Sequence, residues 1–222
     1  MIKWFALLVG TLLAVAILVL LMVAWIESRQ AHELEGKQPY KPATTNASRT
    51  AVVYFSRSGN TALAARHVAM RLGAQLFPLE APSYQLGLSG LTHALQDANA
   101  LKEKPEALPE IVPRTIDLTS FDTIWLGSPV WLYSPAPPIW AFVEHHRFDG
   151  KHVVLFNTFN SHFGDDHIAR LKTQVIARGA QSFEHRHVLR GRMTQQLTTD
   201  EMLETIDGAW FDGDRNRRGV QH

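Results

Sequence analysis

The chain begins with an unbroken apolar run. No charged residue occurs from Trp4 to Ile26. A helix of this length, at about 1.5 Å per residue, extends to about 34 Å and can cross a hydrocarbon core of about 30 Å. Trp4 and Trp25 lie at its two ends, where indole rings favour the membrane–water interface. We therefore predict a transmembrane helix over residues 4–26, which would bring the lipid bilayer into contact with the protein.

A cleaved signal peptide is the alternative for this run. The apolar region of a signal peptide is usually about 7–15 residues long and is followed by small residues at the cleavage site. Here the run is longer and ends in Val-Ala-Trp-Ile-Glu, which is a poor cleavage sequence. The pattern therefore favours an uncleaved anchor.

The residues that flank the span predict its orientation. Lys3 is the only Lys or Arg before it, whereas Arg29, Lys37 and Lys41 follow closely. The positive-inside bias favours a cytoplasmic carboxyl-terminal domain on a bacterial inner membrane. Residues 27–49 are polar and include Pro39, which predicts a linker, and residues 213–222 predict a polar tail.

Between residues 50 and 212, strand patterns alternate with helix patterns. The run from Ala51 to Phe55 is short, β-rich and fully apolar, as expected of a strand buried on both faces. Five strands separated by helices predict a doubly wound α/β domain with a parallel sheet and right-handed crossovers. The predicted strands cover residues 51–55, 74–79, 123–127, 153–156 and 183–189, and the predicted helices cover 61–72, 91–101, 139–146, 166–178 and 199–210.

Composition narrows the function classes. The 22 Lys and Arg against 21 Asp and Glu leave a net charge of +1, so bulk charge gives no reason to expect nucleic-acid binding. The absence of cysteine excludes disulfides, thiolate catalysis, zinc–thiolate sites and cysteine-ligated iron–sulfur clusters. The pairs His145/His146 and His185/His187 lack the spacing of HExxH, and we predict no metal site from them. Redox chemistry would require a non-covalently held cofactor.

The first strand runs into a polar turn that opens a helix. Ser56, Ser58 and Thr61 supply hydroxyls, and Gly59 allows the backbone to wrap closely. Free N–H groups and the helix dipole favour an anion there, such as a phosphate. The absence of a GxxxxGK[ST] lysine argues against a nucleoside triphosphatase. An ordinary capped strand-to-helix turn is the alternative.

A second polar segment follows the third strand. Residues 126–138 contain four prolines, which stiffen the segment. Trp131 and Tyr133 place flat side chains at the ligand edge of the sheet. Packing against the following helix would explain either residue alone, but beside a phosphate loop we favour stacking on a planar heterocycle.

The segments FSRSGNT and GSPVW together resemble the flavodoxin-like flavoproteins, over about residues 50–212. The resemblance implies an FMN cofactor whose phosphate and ring contact three loops. The phosphate would be held by Ser56, Arg57, Ser58, Gly59, Asn60 and Thr61, and the ring would lie between Ser128, Pro129, Val130, Trp131 and Tyr133 on one side and Thr158, Phe159 and Asn160 on the other.

The chain departs from soluble flavodoxins in three ways. It is neutral rather than acidic, it has no glycine between Ser128 and Pro138, and it carries an apolar span. These departures favour two-electron chemistry at the membrane, such as an NAD(P)H:quinone reductase-like activity. His162 is then a candidate catalytic residue that donates a proton to a reduced quinone-like substrate.

Two alternatives stay open. The protein could be a membrane-anchored electron-transfer flavodoxin that serves a redox partner protein. It could also be a flavodoxin-fold binding module without redox activity.

Overall fold

The computed structural model describes residues 2–40, 48–101, 104, 108–191 and 195–212. Residues 41–47 of the predicted linker and the predicted tail at 213–222 lie outside these ranges. Every predicted strand and helix of the carboxyl-terminal domain is present, with some ends displaced by a few residues.

A parallel sheet forms the centre of the domain. Its strands are β1 (Thr50–Phe55), β2 (Gln75–Leu79), β3 (Thr123–Trp131), β5 (His152–Phe159) and β6 (Ser182–Leu189), and the two-residue β4 (Ser134–Pro135) pairs antiparallel with β3. The five longer strands are all parallel and run in the order β2-β1-β3-β5-β6, which confirms the predicted doubly wound α/β fold.

Helices cover both faces of this sheet, because successive strand residues are buried on opposite sides. Val53 and Leu126 face one core, whereas Val52 and Trp125 face the other. The first core also contains residues from three helices, α3 (Leu88–Ala100), α4 (Pro137–His145) and α5 (Asp165–Ala177). The second core contains residues from α2 (Asn60–Leu72), from α6 (Thr199–Ile206) and from the wider helical turn Asp207–Asp212.

The amino-terminal helix α1 spans Ile2–Leu34 and so continues eight residues beyond the predicted end of the span. Its added turns, from Glu27 to Leu34, are rich in good helix formers, and Arg29 pairs with Glu33 one turn later. Part of the predicted linker is therefore helical. Leu34 is buried in the domain core beside α2.

Within the described residues, α1 is the one helix long and apolar enough to cross a membrane, with a mean hydropathy of 3.0 over its apolar window. Length and composition alone would fit a signal sequence equally well.

The segment after β3 turns back on itself instead of leading straight into α4. Trp131 pairs with Ser134, so Leu132 and Tyr133 form a two-residue hairpin turn with φ values of 46° and 73°. Such turns usually contain Asn or Gly, because other residues are strained at positive φ. The sequence has neither at these positions, so the hairpin was not predicted.

Candidate functional site

The candidate site lies at the carboxyl ends of β1, β3 and β5. The chain passes from β1 to β2 on one side of the sheet and then to β3 on the other, which creates a topological switch point between β1 and β3. Ligands of doubly wound sheets bind at such points. The loops predicted from the sequence to bind the cofactor therefore meet at one edge of the sheet.

The turn after β1 has the features of an anion cradle. Gly59 adopts a φ of 88° and begins α2 without a side-chain cap, which leaves the first backbone N–H groups of the helix available. Leu63 is the first residue of α2 whose N–H bonds back, to the Gly59 carbonyl, at 2.9 Å. The hydroxyl of Ser56 is buried, and no hydrogen-bond partner for it occurs among the described residues. Unpartnered donors at a helix N-terminus fit a phosphate group.

Side-chain hydrogen bonds join the cradle to the neighbouring loops. The hydroxyls of Thr61 and Thr158 lie 2.7 Å apart and link α2 to the end of β5. The Ser128 hydroxyl accepts a hydrogen bond of 2.8 Å from the Ala136 N–H, which closes the hairpin. The Asn157 amide donates to the Ser128 carbonyl at 3.0 Å and holds β3 and β5 in place. The three predicted loops thus form one connected frame.

Arg57 points away from the centre of this cradle. Its Nε donates to the Tyr84 carbonyl at 3.2 Å and its Nη2 donates to the Gly87 carbonyl at 2.9 Å. The guanidinium also forms a salt bridge with Glu27 of α1. The side chain therefore fastens both the turn before α3 and the end of α1 to the loop after β1.

Trp131 packs against β1 and the turn before α3 rather than against the helix that follows it. Its ring packs edge-on against Phe55 with centroids 5.6 Å apart, and it lies 5.7 Å from Tyr84. The Tyr84 hydroxyl donates to Asp97 at 2.7 Å, and burial together with this bond raises the pKa of Tyr84 above its usual range. Trp131 is half-buried by these contacts, and its remaining surface forms part of a cavity wall.

That cavity has a volume of about 140 Å³ and is bounded by the three loops, by the end of β6 and by α1. Pockets for drug-sized ligands usually measure about 300–1,000 Å³, so a flavin ring would need the α1 wall to move outward. The cavity is lined by Val23, Ile26, Glu27, Gln30, Ser58, Asn60, Pro129, Val130, Trp131, Thr158, Phe159, Asn160, Arg190 and Gln196.

His162 and Tyr133 lie together at the rim of the site. Their ring centroids are 4.6 Å apart, the ring planes are tilted by 30°, and both side chains are exposed. The Tyr133 carbonyl accepts a hydrogen bond of 2.7 Å from the Gly164 N–H, so the hairpin is attached to the loop after β5. The predicted proton-donor role of His162 would act from this rim.

The two charged residues of the cavity lining, Glu27 and Arg190, were missed by the sequence analysis, as were Val23, Ile26, Gln30 and Gln196. Glu27 was assigned to a linker because the apolar run ends before it. Arg190 directly follows the last strand, and no local motif sets it apart. Its guanidinium reaches Asn60, 130 residues earlier in the chain. Only the folded arrangement reveals these positions.

The histidine pairs serve the packing of the domain. The His146 ring accepts a 2.8 Å hydrogen bond from the Ile116 N–H and lies 2.7 Å from the Phe142 carbonyl. His185 bonds to Asn157 at 2.8 Å, and burial, with a smaller effect of His187, lowers its pKa to about 4. No group of three or more side chains suited to a metal ion occurs among the described residues.

Comparisons with known proteins agree with this architecture. A family model described as Flavodoxin matches residues 49–206. No curated protein matches the chain by sequence. Three solved structures share the fold at 21–22% sequence identity.

A putative flavoprotein from Bacteroides uniformis is 22% identical, with a TM-score of 0.56 over 73% of this chain and 99% of its own. A putative flavoprotein from Bacteroides eggerthii is also 22% identical, with a TM-score of 0.52 over 72% of this chain and 96% of its own. A Lactobacillus acidophilus flavoprotein solved in complex with FMN is 21% identical, with a TM-score of 0.52 over 63% of this chain and 93% of its own.

Proposed function

Because this chain belongs to the flavodoxin family, we propose that it binds FMN non-covalently between the loops that follow β1, β3 and β5. The unpartnered Ser56 hydroxyl and the free N–H groups at the start of α2 support a phosphate at the cradle. The L. acidophilus protein of the same fold, solved with FMN, is consistent with this cofactor.

The proposed activity is that of an oxidoreductase at the membrane, which takes electrons from NAD(P)H and reduces a lipid-soluble quinone. One observation carries this proposal. Val23 and Ile26, from the last turns of the apolar run, line the same cavity as Trp131. If α1 spans the bilayer, a quinone that leaves the hydrocarbon core would meet the site where the helix emerges.

The chain's own residues would bind, orient and shield the cofactor. The Ser56 and Thr61 hydroxyls and the first turn of α2 would hold the phosphate, while Pro129 and Val130, which line the cavity, would contact the ring. When bound, FMN supplies the hydride chemistry, and the protein supplies position and electrostatics. His162, at the rim, would donate a proton to the reduced quinone.

The proposal includes a single-pass anchor in a bacterial inner membrane, with the domain in the cytoplasm where NAD(P)H is available. Arg29 and Lys37, which follow the apolar run, support this orientation. Protease treatment of intact spheroplasts tests it. The domain should be protected until the cells are lysed, and digestion in intact spheroplasts would place it on the opposite side.

The full chain, purified in detergent, tests the function. We expect bound FMN with absorption bands in the blue and near ultraviolet, and oxidation of NADH or NADPH with soluble quinone analogues. Ser58→Asp and Thr61→Asp should lose the flavin because their carboxylates repel the phosphate. Thr173→Asp, exposed on α5, is the matched control and should retain it. A colourless wild-type protein that does not bind added FMN would refute the proposal and leave a redox-inactive binding module.

A membrane-anchored electron carrier is the second candidate, and membership of the flavodoxin family favours it. A redox titration separates the two functions. Reduction in two resolved one-electron steps would favour the carrier, and a single two-electron step would favour the reductase. Failure of both NADH and NADPH to reduce the bound flavin would also favour the carrier.

A further inference from the structure

Arg190 connects the end of the last strand to the first turn of α2. Its backbone N–H donates to the Phe159 carbonyl at 2.8 Å, which fixes the residue beside the end of β5. Its Nε donates to the Asn60 side-chain oxygen at 3.0 Å. The side chain therefore lies against the turn that carries Ser58 and Gly59, although it comes from the opposite end of the domain sequence.

Among the described residues, no carboxylate pairs with the buried guanidinium of Arg190. The residue is 6% exposed. Its Nη1 is buried and has no hydrogen-bond partner within the described ranges. Burial lowers its pKa, with a partial offset from Glu201, but a guanidinium stays protonated in proteins. A buried, unpaired cation is costly, and an anion beside it would remove this cost.

Arg57 provides a direct contrast within the same cavity region. It is similarly buried and its Nη1 also lacks a hydrogen bond, but that nitrogen forms an ion pair with the carboxylate of Glu27, and carbonyls of the turn at 84–87 accept hydrogen bonds from Nε and Nη2. The positive charge of Arg57 is thus already balanced by Glu27. Of these two arginines, Arg190 is the one whose buried charge has no carboxylate partner among the described residues.

The surroundings of Arg190 suit one kind of anion. It lines the cavity together with Ser58, Asn60 and Thr158, next to the free N–H groups of the helix start. A phosphate monoester carries close to two negative charges at neutral pH, and the planar guanidinium binds such oxygens through two parallel hydrogen bonds.

We propose that Arg190 binds the phosphate of the flavin nucleotide and makes the site select FMN over riboflavin. This inference rests on the proposed function. Asn60 acts as the positioning residue, because it holds the Nε edge of Arg190 and leaves the Nη1 edge directed at the phosphate.

Titrations of the full-length apoprotein in detergent with FMN and with riboflavin test the inference. Binding is measured by the quenching of flavin fluorescence. We compare wild type with Arg190→Gln, Arg190→Lys and the exposed control Arg147→Gln. Arg190→Gln should weaken FMN binding by about tenfold to a hundredfold, since hydrogen bonds to charged groups have this strength. It should change riboflavin binding less than twofold. Arg190→Lys should restore most of the preference for FMN, and Arg147→Gln should behave as wild type.

Wild-type protein provides an independent measurement if Arg190→Gln fails to fold. Inorganic phosphate should compete with FMN at millimolar concentration and leave riboflavin binding unchanged. An unaltered ratio of FMN to riboflavin affinity in Arg190→Gln, or an equal loss of both flavins, would overturn the inference. So would wild-type protein that binds both flavins equally well. Failure of wild type to bind either flavin would instead refute the proposed function.

Discussion

The carboxylate of Glu27 on α1 forms a salt bridge with the guanidinium of Arg57 in the loop after β1. The Arg57 side chain is almost fully buried and the Glu27 side chain is 19% exposed. The pair therefore attaches the apolar helix to the loop that is proposed to hold the flavin phosphate.

Glu27→Gln should weaken this attachment. Removal of one charge from a buried ion pair costs about 3–5 kcal/mol, so we expect a loss of that order, reduced by the partial exposure of Glu27, in the free energy of unfolding in urea. Because α1 forms a wall of a cavity too small for the flavin ring, FMN should also associate faster with this variant in stopped-flow fluorescence.

Glu33→Gln is the matched control for Glu27→Gln. It breaks an exposed pair with Arg29 on the same helix and should change neither measurement. Equal behaviour of the two variants would show that α1 is not held through Arg57.

Gly59→Ala should disturb both the cradle and the contact with α1. The added Cβ would require a left-handed backbone, which costs about 1–2 kcal/mol, and would lie 3.0 Å from the Cβ of Leu34. We expect lower thermal stability and loss of retained FMN. Gly73→Ala, at the other end of α2, shares the positive φ but has no atom within 4 Å of its added Cβ. Gly73→Ala should lose only the stability that an alanine at positive φ costs, and it should keep its FMN. Loss of FMN from both variants would contradict the placement of Gly59 in the phosphate cradle.

The pH dependence of stability should reveal the buried neutral His185. Its folded pKa of about 4 lies below the value of about 6.5 expected for the unfolded chain. Between these values the unfolded state binds more protons, so the free energy of unfolding should fall as the pH is lowered from about 6.5 towards 4. His185→Gln, which keeps an amide donor for Asn157, should flatten this decline when urea unfolding is measured across the range.

Part of the decline should persist in His185→Gln, because burial also lowers the pKa of His146. His93→Gln, an exposed substitution on α3, should leave the profile unchanged. A profile in His185→Gln identical to that of wild type would show that His185 makes no contribution.

Leu132→Asn should stabilise the protein. Leu132 has a φ of 46° in the hairpin turn, where a branched side chain is strained and Asn is favoured. Relief of strain at such a position contributes about 1 kcal/mol, which should appear as a higher unfolding temperature. Leu86→Asn replaces a similarly exposed leucine without positive φ and should bring no gain. An unchanged or lower unfolding temperature for Leu132→Asn would contradict the predicted strain.

The fold could be predicted from the sequence because each buried strand is a short apolar run and each helix has an apolar stripe. The strand from Ala51 to Phe55 and the cradle at Gly59 are local patterns of this kind. The hairpin at Leu132 could not be predicted, since its turn is held by β4 pairing and the Ser128 hydroxyl rather than by favourable turn residues.

The missed parts of the site depend on contacts between distant segments. Arg190 reaches Asn60 across 130 residues, and Glu27 reaches Arg57 only because α1 continues as a helix past Ile26. A change from apolar to polar residues marks where a helix can leave lipid, but it does not mark where the helix ends.

The unbroken course of α1 from Ile2 to Leu34, attached to the domain at Glu27 and Leu34, has a consequence for encounters with other molecules. A flexible tether would let the domain adopt many orientations relative to the membrane surface. A continuous helix attached at these two points would instead restrict the height and facing of the cavity, so that in a bilayer a lipid-dissolved reactant would reach it by lateral diffusion within the membrane plane.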